Sequence, residues 1–258
     1  YEIDYLIREG LGTVVAYLGR DLPVKLNCAA THVDWSGAGV SVETTDGTIR
    51  AGACIVTVST GVLASGAIRF TPELHAAKAQ AIDDVPMGLL MKVGLQFTPG
   101  ERFGLGENDW LSYALPEPIP GKGCYFVTFQ NGLDISVGFV GGQFAWDLAA
   151  EGEAAAVDYA LGEMAREVGS AVKKHFIKGH MSDWHANPLT QGAYAAARPG
   201  RHAEREVIKA PLGDKVFFAG EAVGVSLRPV AISLMLSSGL VAALVGPEVF
   251  ILARDALD

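Results

Sequence analysis

The stretch 217–222 constrains the fold more than any other part of the sequence. It reads Phe-Phe-Ala-Gly-Glu-Ala and ends an apolar run that predicts a buried strand over 215–219. A short loop separates this strand from a small-residue apolar run at 231–244, which predicts a helix. A glycine at a strand end lets another molecule approach the backbone, and the free N–H groups of a helix start attract anionic or carbonyl oxygens. We call residues 215–222, where the strand ends and the loop begins, the corner. This pattern predicts either a ligand site, with Glu221 accepting hydrogen bonds, or a purely structural turn of an α/β fold.

Composition limits the class of protein and its partners. The chain has 258 residues and is 50% hydrophobic, so it can bury the core of one large domain or of two modest ones. Its net charge is -9, and its lysines and arginines are scattered. Because no basic face emerges, nucleic acid and anionic membrane are not expected as partners. The longest apolar runs are also too short and too interrupted to span a bilayer.

Cysteine and histidine spacing gives no sign of a disulfide framework or a metal site. The sequence contains three cysteines: Cys28, Cys54 and Cys124. They lie in apolar, strand-like contexts without CxxC spacing, which favours reduced thiols in a reducing compartment, and we expect a cytoplasmic protein. Three histidines recur at intervals of five residues, which is poor spacing for one helix face. The chain begins without Met or a signal sequence, so we expect a processed piece or a fragment.

The order of predicted elements indicates an α/β protein with mixed helices and sheets. Predicted strands occupy 24–26, 30–35, 40–44, 53–58, 89–97, 124–130, 135–140 and 180–184. Predicted helices occupy 71–82 and 148–171, and a loop leading into a helix is predicted over 5–18. The strand 53–58 is apolar on both faces and is expected at the centre of a sheet. Asn131-Gly132 predicts a hairpin turn.

Three side chains stand out from these elements. Lys92 lies inside the otherwise apolar strand 89–97, where burial of its charge is costly unless the charge is paired or used. Strand alternation also allows the alternative, a lysine on the solvent side. Trp184 and Tyr194 occur in Gly/Pro-rich loop sequence, where they would either wall a ligand pocket or pack against a neighbouring domain.

Four stretches, taken in order, resemble the flavin-dependent amine oxidase family, which includes monoamine, polyamine and L-amino-acid oxidases. They span nearly the whole chain: 24–35 with 40–47 and 54–63, 70–93, 184–200, and 217–222 with Ser238-Gly239 downstream. The resemblance implies a two-domain fold in which 1–70 and 201–258 belong to an FAD-binding domain and 71–200 to a substrate-binding domain. It also implies FAD-dependent oxidation of an amine to an imine, with O2 as acceptor and hydrogen peroxide as a product.

The same resemblance assigns roles to residues of this chain. Lys92 matches a lysine that holds a water near flavin N5, and a desolvated lysine would suit that role. Tyr194 matches one wall of an aromatic cage that aims the substrate amine. Ala193 stands where covalently flavinylated members have a cysteine, so FAD is expected to bind noncovalently. The expected cofactor contacts are Ala30, Trp184, Gly220, Glu221, Ala222, Val230 and Ala231.

Departures from the family pattern keep alternatives open. The chain contains no GxGxxG loop, so an N-terminal fragment or subunit is expected to supply it. Arg228-Pro229-Val230 follows where a second cage aromatic is usual. One alternative is a non-catalytic binding or interaction module, and another is a flavin oxidase acting on a non-amine substrate. Glu107 and Asp109 would either attract a polycationic amine or serve as ordinary loop charges. A homodimer is a candidate assembly.

Overall fold

The computed structural model describes residue 7 and residues 9–112, 121–224 and 249–252, the last range by its backbone alone. The α-helices are α1 (Leu11–Gly19), α2 (Thr60–Ala64), α3 (Ala76–Asp84), α4 (Gly142–Glu151), α5 (Glu153–Val168), α6 (Ala171–His175) and α7 (Glu204–Lys209). The first strands are β1 (Ala30–Asp34), β2 (Val40–Thr44), β3 (Gly47–Ala51), β4 (Ala53–Val56), β5 (Arg69–Thr71), β6 (Met87–Gly88) and β7 (Leu90–Phe97). The remaining strands are β8 (Trp110–Leu111), β9 (Tyr125–Val127), β10 (Ile135–Gly141), β11 (Phe176–Met181), β12 (Tyr194–Ala195), β13 (Val216–Phe218) and β14 (Val249–Leu252).

These elements divide into two compact units. Unit I comprises Glu9–Gly88 and the described residues of Ala186–Asp258, and unit II comprises Ile7 and Leu89–His185. The sequence predicted divisions after residues 70 and 200, whereas the compact units divide after residues 88 and 185. The assignment of flavin binding to the outer segments and of substrate binding to the middle segment stays a prediction.

Unit I contains three sheets. The four-stranded sheet has the order β3-β2-β1-β5, in which β1 is antiparallel to β2 and parallel to β5. The three-stranded sheet has the order β13-β4-β14, with β13 parallel and β14 antiparallel to β4. Strands β6 and β12 form an antiparallel pair. The strand that is apolar on both faces, β4, is therefore central in its sheet, as the sequence predicted.

The core of unit I joins these sheets to its helices. Val33 of β1 and Val42 of β2 face each other in register and are both buried. The same buried cluster includes Val56 of β4, Ile82 of α3 and Ile208 of α7. Since alternate side chains of a strand share a face, one apolar residue in two is enough to build this cluster.

Unit II is built on a five-stranded antiparallel sheet with the order β11-β7-β10-β9-β8. Helices α4 and α5 pack on β7. One face of β7 carries Met91, Val93, Leu95 and Phe97, which are all completely buried. The other face carries Lys92, which is exposed.

Some strand predictions were wrong for local reasons. No strand forms over 24–26, because Asn27 adopts a left-handed turn conformation and Leu26 is left 66% exposed, without an apolar face to pair. Strand β3 was not predicted, although it pairs with β2 along its whole length. The strand predicted at 180–184 lies earlier, at β11.

Helix boundaries also differ from the predictions. The helix predicted over 71–82 begins later, at α3, because Arg69–Thr71 instead pairs with β1. The helix predicted over 148–171 is broken into α4, α5 and α6 at Gly152 and Gly169, whose φ angles are 96° and 98°. The Asn131-Gly132 turn forms with positive φ at both residues, but within a longer connection between β9 and β10.

Candidate functional site

The strand–glycine–acid corner forms in unit I. Strands β13 and β4 run parallel, and the N–H of Ala219 donates to the carbonyl of Val56 at 3.0 Å, so their carboxyl ends lie side by side. Ligands of open α/β sheets bind at this edge. Gly220 has φ 114°, and a Cβ there would lie 3.3 Å from the carbonyl oxygen of Thr57. The position therefore favours glycine and leaves the backbone open to a ligand.

Glu221 follows this glycine and opens a 3-10 turn, Glu221–Val223. Its side chain is half-buried, and its Oε2 accepts a hydrogen bond from the N–H of Ala195 at 3.0 Å. Burial raises the pKa of Glu221, against the opposing effects of the Ala195 hydrogen bond and the positive charge of Arg205. A carboxylate has lone pairs for several donors, so Glu221 can hold Ala195 and still accept a bond from a ligand hydroxyl.

Tyr194 is brought to the same corner. It lies in β12 opposite Gly88 of β6, and the next residue, Ala195, donates to Glu221. A Cβ at Gly88 would lie 3.5 Å from Cε2 of Tyr194, so the ring lies against this glycine. The strand that carries Tyr194, the predicted cage wall, is thus joined to Glu221, a predicted cofactor contact, by the hydrogen bond from Ala195.

The other predicted cofactor contacts are distributed differently. Ala30 and Ala222 are buried in the unit I core, at 7% and 8% exposure, so only their backbones remain available to a ligand. Trp184 is half-buried in a turn of unit II, after β11. Val230 and Ala231 lie outside the described residues.

Lys92 lies in unit II, on the open face of β7. Its ammonium is 5.5 Å from the centroid of the Phe139 ring, which is opposite it on β10. The backbone N–H of Lys92 donates to Oγ of Ser182 at 2.9 Å, and the backbone carbonyl of Lys92 accepts from the N–H of Ser182 at 2.9 Å. In the described chain Lys92 is therefore exposed rather than desolvated, and it follows the strand alternation that the sequence left as the alternative.

Phe139 belongs to a cluster of three stacked rings on the same sheet. The rings of Phe139 and Tyr125 are 5.0 Å apart and nearly parallel, and Trp110 stacks on Tyr125 at 5.9 Å. Trp110 also stacks on Phe139 at 6.2 Å, so the three rings form a compact cluster, with Lys92 beside Phe139 and with Trp110 67% exposed. The sequence did not mark these three rings as neighbours, because cross-strand register cannot be read from local pattern.

The two loop acids near Trp110 have mainly local contacts. Asp109 accepts the N–H of Gly106 at 2.6 Å and so stabilises a turn. Glu107 is exposed, with its carboxylate 3.1 Å from the position that a Cβ would take on Gly132. Neither contact distinguishes attraction of an amine from the role of an ordinary loop charge.

Two buried cations beside the corner escaped the sequence reasoning. Arg205 of α7 is 8% exposed and donates to the carbonyls of Ala195 and Ala222. Lys78 of α3 is 4% exposed, and its ammonium lies 4.2 Å from the centroid of the Phe218 ring. Both occupy ordinary positions in short helices, so no sequence signal marks them.

A cavity of about 520 Å³ lies elsewhere in unit I and borders β6. Gly61 at the start of α2 lines it together with Met87 and Gln191. A Cβ on Gly61 would come within 2.8 Å of Gln191 and 2.9 Å of Met87.

The described residues contain no group of three or more His, Cys, Asp or Glu placed to hold a metal ion. None of the helices described has the length and hydropathy needed to cross a membrane.

Comparison with known sequences decides the family. The sequence matches the family of flavin-containing amine oxidoreductases over residues 3–243. The chain belongs to this family. Membership implies a flavin cofactor and confirms the resemblance that the four ordered stretches carried.

Relatives of this chain include two plant polyamine oxidases. Polyamine oxidase 4 of Oryza sativa subsp. japonica is 29% identical over 221 residues, which cover 84% of this chain and 44% of that protein. Polyamine oxidase 2 of Arabidopsis thaliana is 30% identical over 243 residues, which cover 92% of this chain and 48% of that protein. The chain thus spans about half the length of the curated relatives it matches.

A solved structure of putrescine oxidase bound to putrescine has the same fold. It superposes with a TM-score of 0.67 at 20% identity, covering 91% of this chain and 52% of that one. At this identity the likeness concerns the fold alone. It confirms the mixed α/β flavin amine oxidase fold predicted from sequence.

Proposed function

We propose that this chain is part of an FAD-dependent enzyme that oxidises the C–N bond of an amine to an imine, with O2 as acceptor and hydrogen peroxide as the second product. The observation that carries the proposal is the corner in which Glu221 holds Ala195 and thereby fixes Tyr194 beside it. Membership of the amine oxidoreductase family supports the chemistry.

The residues at the corner fit a flavin. Gly220 leaves the backbone open at the carboxyl ends of two parallel strands, and Glu221 offers a half-buried acceptor for a ligand hydroxyl. When bound, the flavin would supply the redox chemistry by taking a hydride equivalent from the amine-bearing carbon. Noncovalent binding is part of the proposal, because the position that holds a cysteine in covalently flavinylated members is Ala193 here, and it is buried.

The chain's own residues have simpler tasks in this proposal. Tyr194 presents its ring to a neutral amine and orients it, which lowers the entropy cost of reaching the reactive geometry. Lys92 holds a water and moves a proton at its ammonium nitrogen during oxygen or imine chemistry. The exposure of Lys92 in the described chain means that its desolvation has to come from other parts of the assembled enzyme.

An upstream polypeptide is also part of the proposal. The chain has no GxGxxG loop, the element that holds the pyrophosphate of FAD in a dinucleotide fold. Its span of about half the length of its relatives supports a segment or subunit that supplies the loop. The names of those relatives make aliphatic di- and polyamines the first substrates to test.

A second candidate function is a flavin-fold binding module without catalysis. The exposed Lys92 and the absence of a phosphate loop in the chain favour it. The two functions differ in products, because only the oxidase releases hydrogen peroxide during an amine screen.

The test uses the natural full-length polypeptide that contains this chain. We expect a flavin absorbance spectrum, bleaching by a polyamine under anaerobic conditions, and peroxide release in air. Lys92→Met should retain flavin and slow its reduction or reoxidation by about a hundredfold, a typical effect of losing a proton-transfer group.

Lys122→Met is the matched control, because Lys122 also lies over a ring of unit II, at 5.2 Å from the centroid of Phe144. Unchanged stopped-flow rates in Lys92→Met would remove Lys92 from the mechanism. A colourless full-length protein would contradict the oxidase proposal as a whole, and a coloured protein that releases no peroxide with any amine would favour the binding module.

A further inference from the structure

Arg205 ties together two separate segments of unit I. Its Nη2 donates to the carbonyl of Ala195 at 2.8 Å, and its Nη1 donates to the carbonyl of Ala222 at 2.7 Å. A weaker contact runs from Nη1 to the carbonyl of Glu221 at 3.4 Å. One guanidinium therefore spans the strand that carries Tyr194 and the turn that follows Gly220.

The hydrogen bond between the same two segments closes a ring of contacts. Ala195 donates its N–H to Oε2 of Glu221 and offers its carbonyl to Arg205, so both polar groups of its backbone are used. The positive charge of Arg205 also favours the ionised form of Glu221. Removing Arg205 would therefore take away its hydrogen bonds to Ala195 and Ala222 and also weaken the bond between Ala195 and Glu221.

The residue type suits this task better than lysine would. The planar guanidinium presents donors in a fixed fork and can hold two carbonyls at once, whereas a lysine ammonium is a point charge on a flexible stem. The fork carries a cost, because Nε of Arg205 is buried and has no hydrogen-bond partner among the described residues.

Helix α7, which carries Arg205, is itself held in place. The ammonium of Lys78 donates to the carbonyls of Val207, Ile208 and Ala210 at the end of this helix. It also lies against the ring of Phe218, in the strand that leads to the corner. The helix is thus anchored to β13, and Arg205 is presented to the corner from a fixed base.

We infer that Arg205 is a positioning residue of the proposed amine-oxidising site, which fixes the Tyr194 strand against the Glu221 turn. This inference rests on the proposed function for its catalytic consequence. The positioning itself concerns only contacts within unit I and can be measured without flavin.

The experiment compares Arg205→Lys and Arg205→Met in the natural full-length polypeptide. The first readout is amide hydrogen exchange of the peptide containing Ala195, in flavin-free and flavin-loaded protein. We expect exchange to accelerate about tenfold in Arg205→Met, as loss of a hydrogen bond of ordinary strength predicts, and by less in Arg205→Lys. The second readout is anaerobic flavin reduction by a polyamine, which we expect to slow by about 10- to 100-fold, with KM raised, because a displaced cage wall misaims the amine.

Arg201→Lys is the control, because Arg201 lies near the start of α7 but is exposed and pairs with Asp84 and Glu204 instead. It should leave both readouts within about twofold of wild type, the scatter allowed here for a surface change. Thermal unfolding of each variant identifies general loss of structure. If Arg205→Met unfolds, the exchange and KM values of Arg205→Lys decide the inference.

The inference and the proposed function fail in different ways. Wild-type exchange at Ala195 in both Arg205 variants would overturn the positioning role, whatever the enzyme's activity. If amines do not reduce the flavin of the wild-type protein, the proposed function is wrong. Faster amide exchange at Ala195 in the variants would still support the positioning role. Faster exchange combined with unchanged KM and reduction rate would overturn the catalytic consequence.

Discussion

Replacing Lys78 with methionine should destabilise unit I, and by an amount that grows with pH. The residue is 4% exposed, and its ammonium donates to three carbonyls at 2.9, 2.7 and 2.6 Å. These carbonyls belong to the end of α7, where helix geometry leaves acceptors without intrahelical partners. Methionine nearly preserves the volume of the side chain but removes every donor, so the variant should be less stable at all pH values.

The pH dependence follows from the burial of the charge. Burial lowers the pKa of Lys78 from its ordinary value of 10.5 to about 8. Between these values the unfolded chain binds more protons than the folded one, so the free energy of unfolding rises with pH. At about 1.36 kcal/mol per pH unit the rise is about 3.4 kcal/mol. This is an upper limit, because the three hydrogen bonds favour the charged amine.

Equilibrium urea unfolding of the full-length protein at pH 7.0 and pH 9.5 measures this effect. The destabilisation caused by Lys78→Met should be greater at pH 9.5 by up to about 2 kcal/mol, since roughly 1.5 pH units of the window then contribute. Lys209→Met, on an exposed lysine of α7, the helix whose carbonyls Lys78 contacts, should show no such increase. An equal or smaller destabilisation at pH 9.5 would refute the claim that Lys78 is charged at neutral pH at a cost in stability.

Two further predictions concern packing and thiol reactivity in both units. Gly138→Ala should destabilise the protein by about 1–3 kcal/mol, because the new Cβ would lie 2.7 Å from Sγ of Cys124 and 2.8 Å from Phe126. Gly162→Ala, in α5 with open space around it, should instead stabilise by about 0.5–1 kcal/mol in the same urea assay. Burial raises the pKa of Cys54 to about 11 and that of Cys124 to about 12. Since the thiolate is the reactive form, alkylation at pH 8, followed by mass spectrometry, should be at least about a hundredfold slower in native than in urea-unfolded protein. Comparable rates would show that these thiols are accessible.

The parts of the fold that the sequence predicts correctly depend on neighbours in sequence. The apolar run of β4 and the glycine at position 220 can each be recognised from a few consecutive residues, and both occur as expected. The break of the long helix at Gly152 and Gly169 was missed because isolated glycines are tolerated inside helical patterns.

The parts that escaped prediction depend on residues far apart in the chain. Arg205 meets Ala195 and Ala222 only because α7 and β12 fold onto the same turn. The surroundings of Lys92 likewise depend on the register between β7 and β10, which places Phe139 beside it. A local pattern can place Lys92 in a strand, but it cannot say which face of that strand is covered.

The carboxylate of Glu221 is already in use by the protein's own backbone. A molecule that draws this carboxylate towards itself competes with the N–H of Ala195, and so loosens the strand of Tyr194. Thermodynamic reciprocity requires the converse: whatever displaces Tyr194 changes how tightly that molecule is held. Two sites that share one oxygen atom in this way are coupled even without any movement of domains.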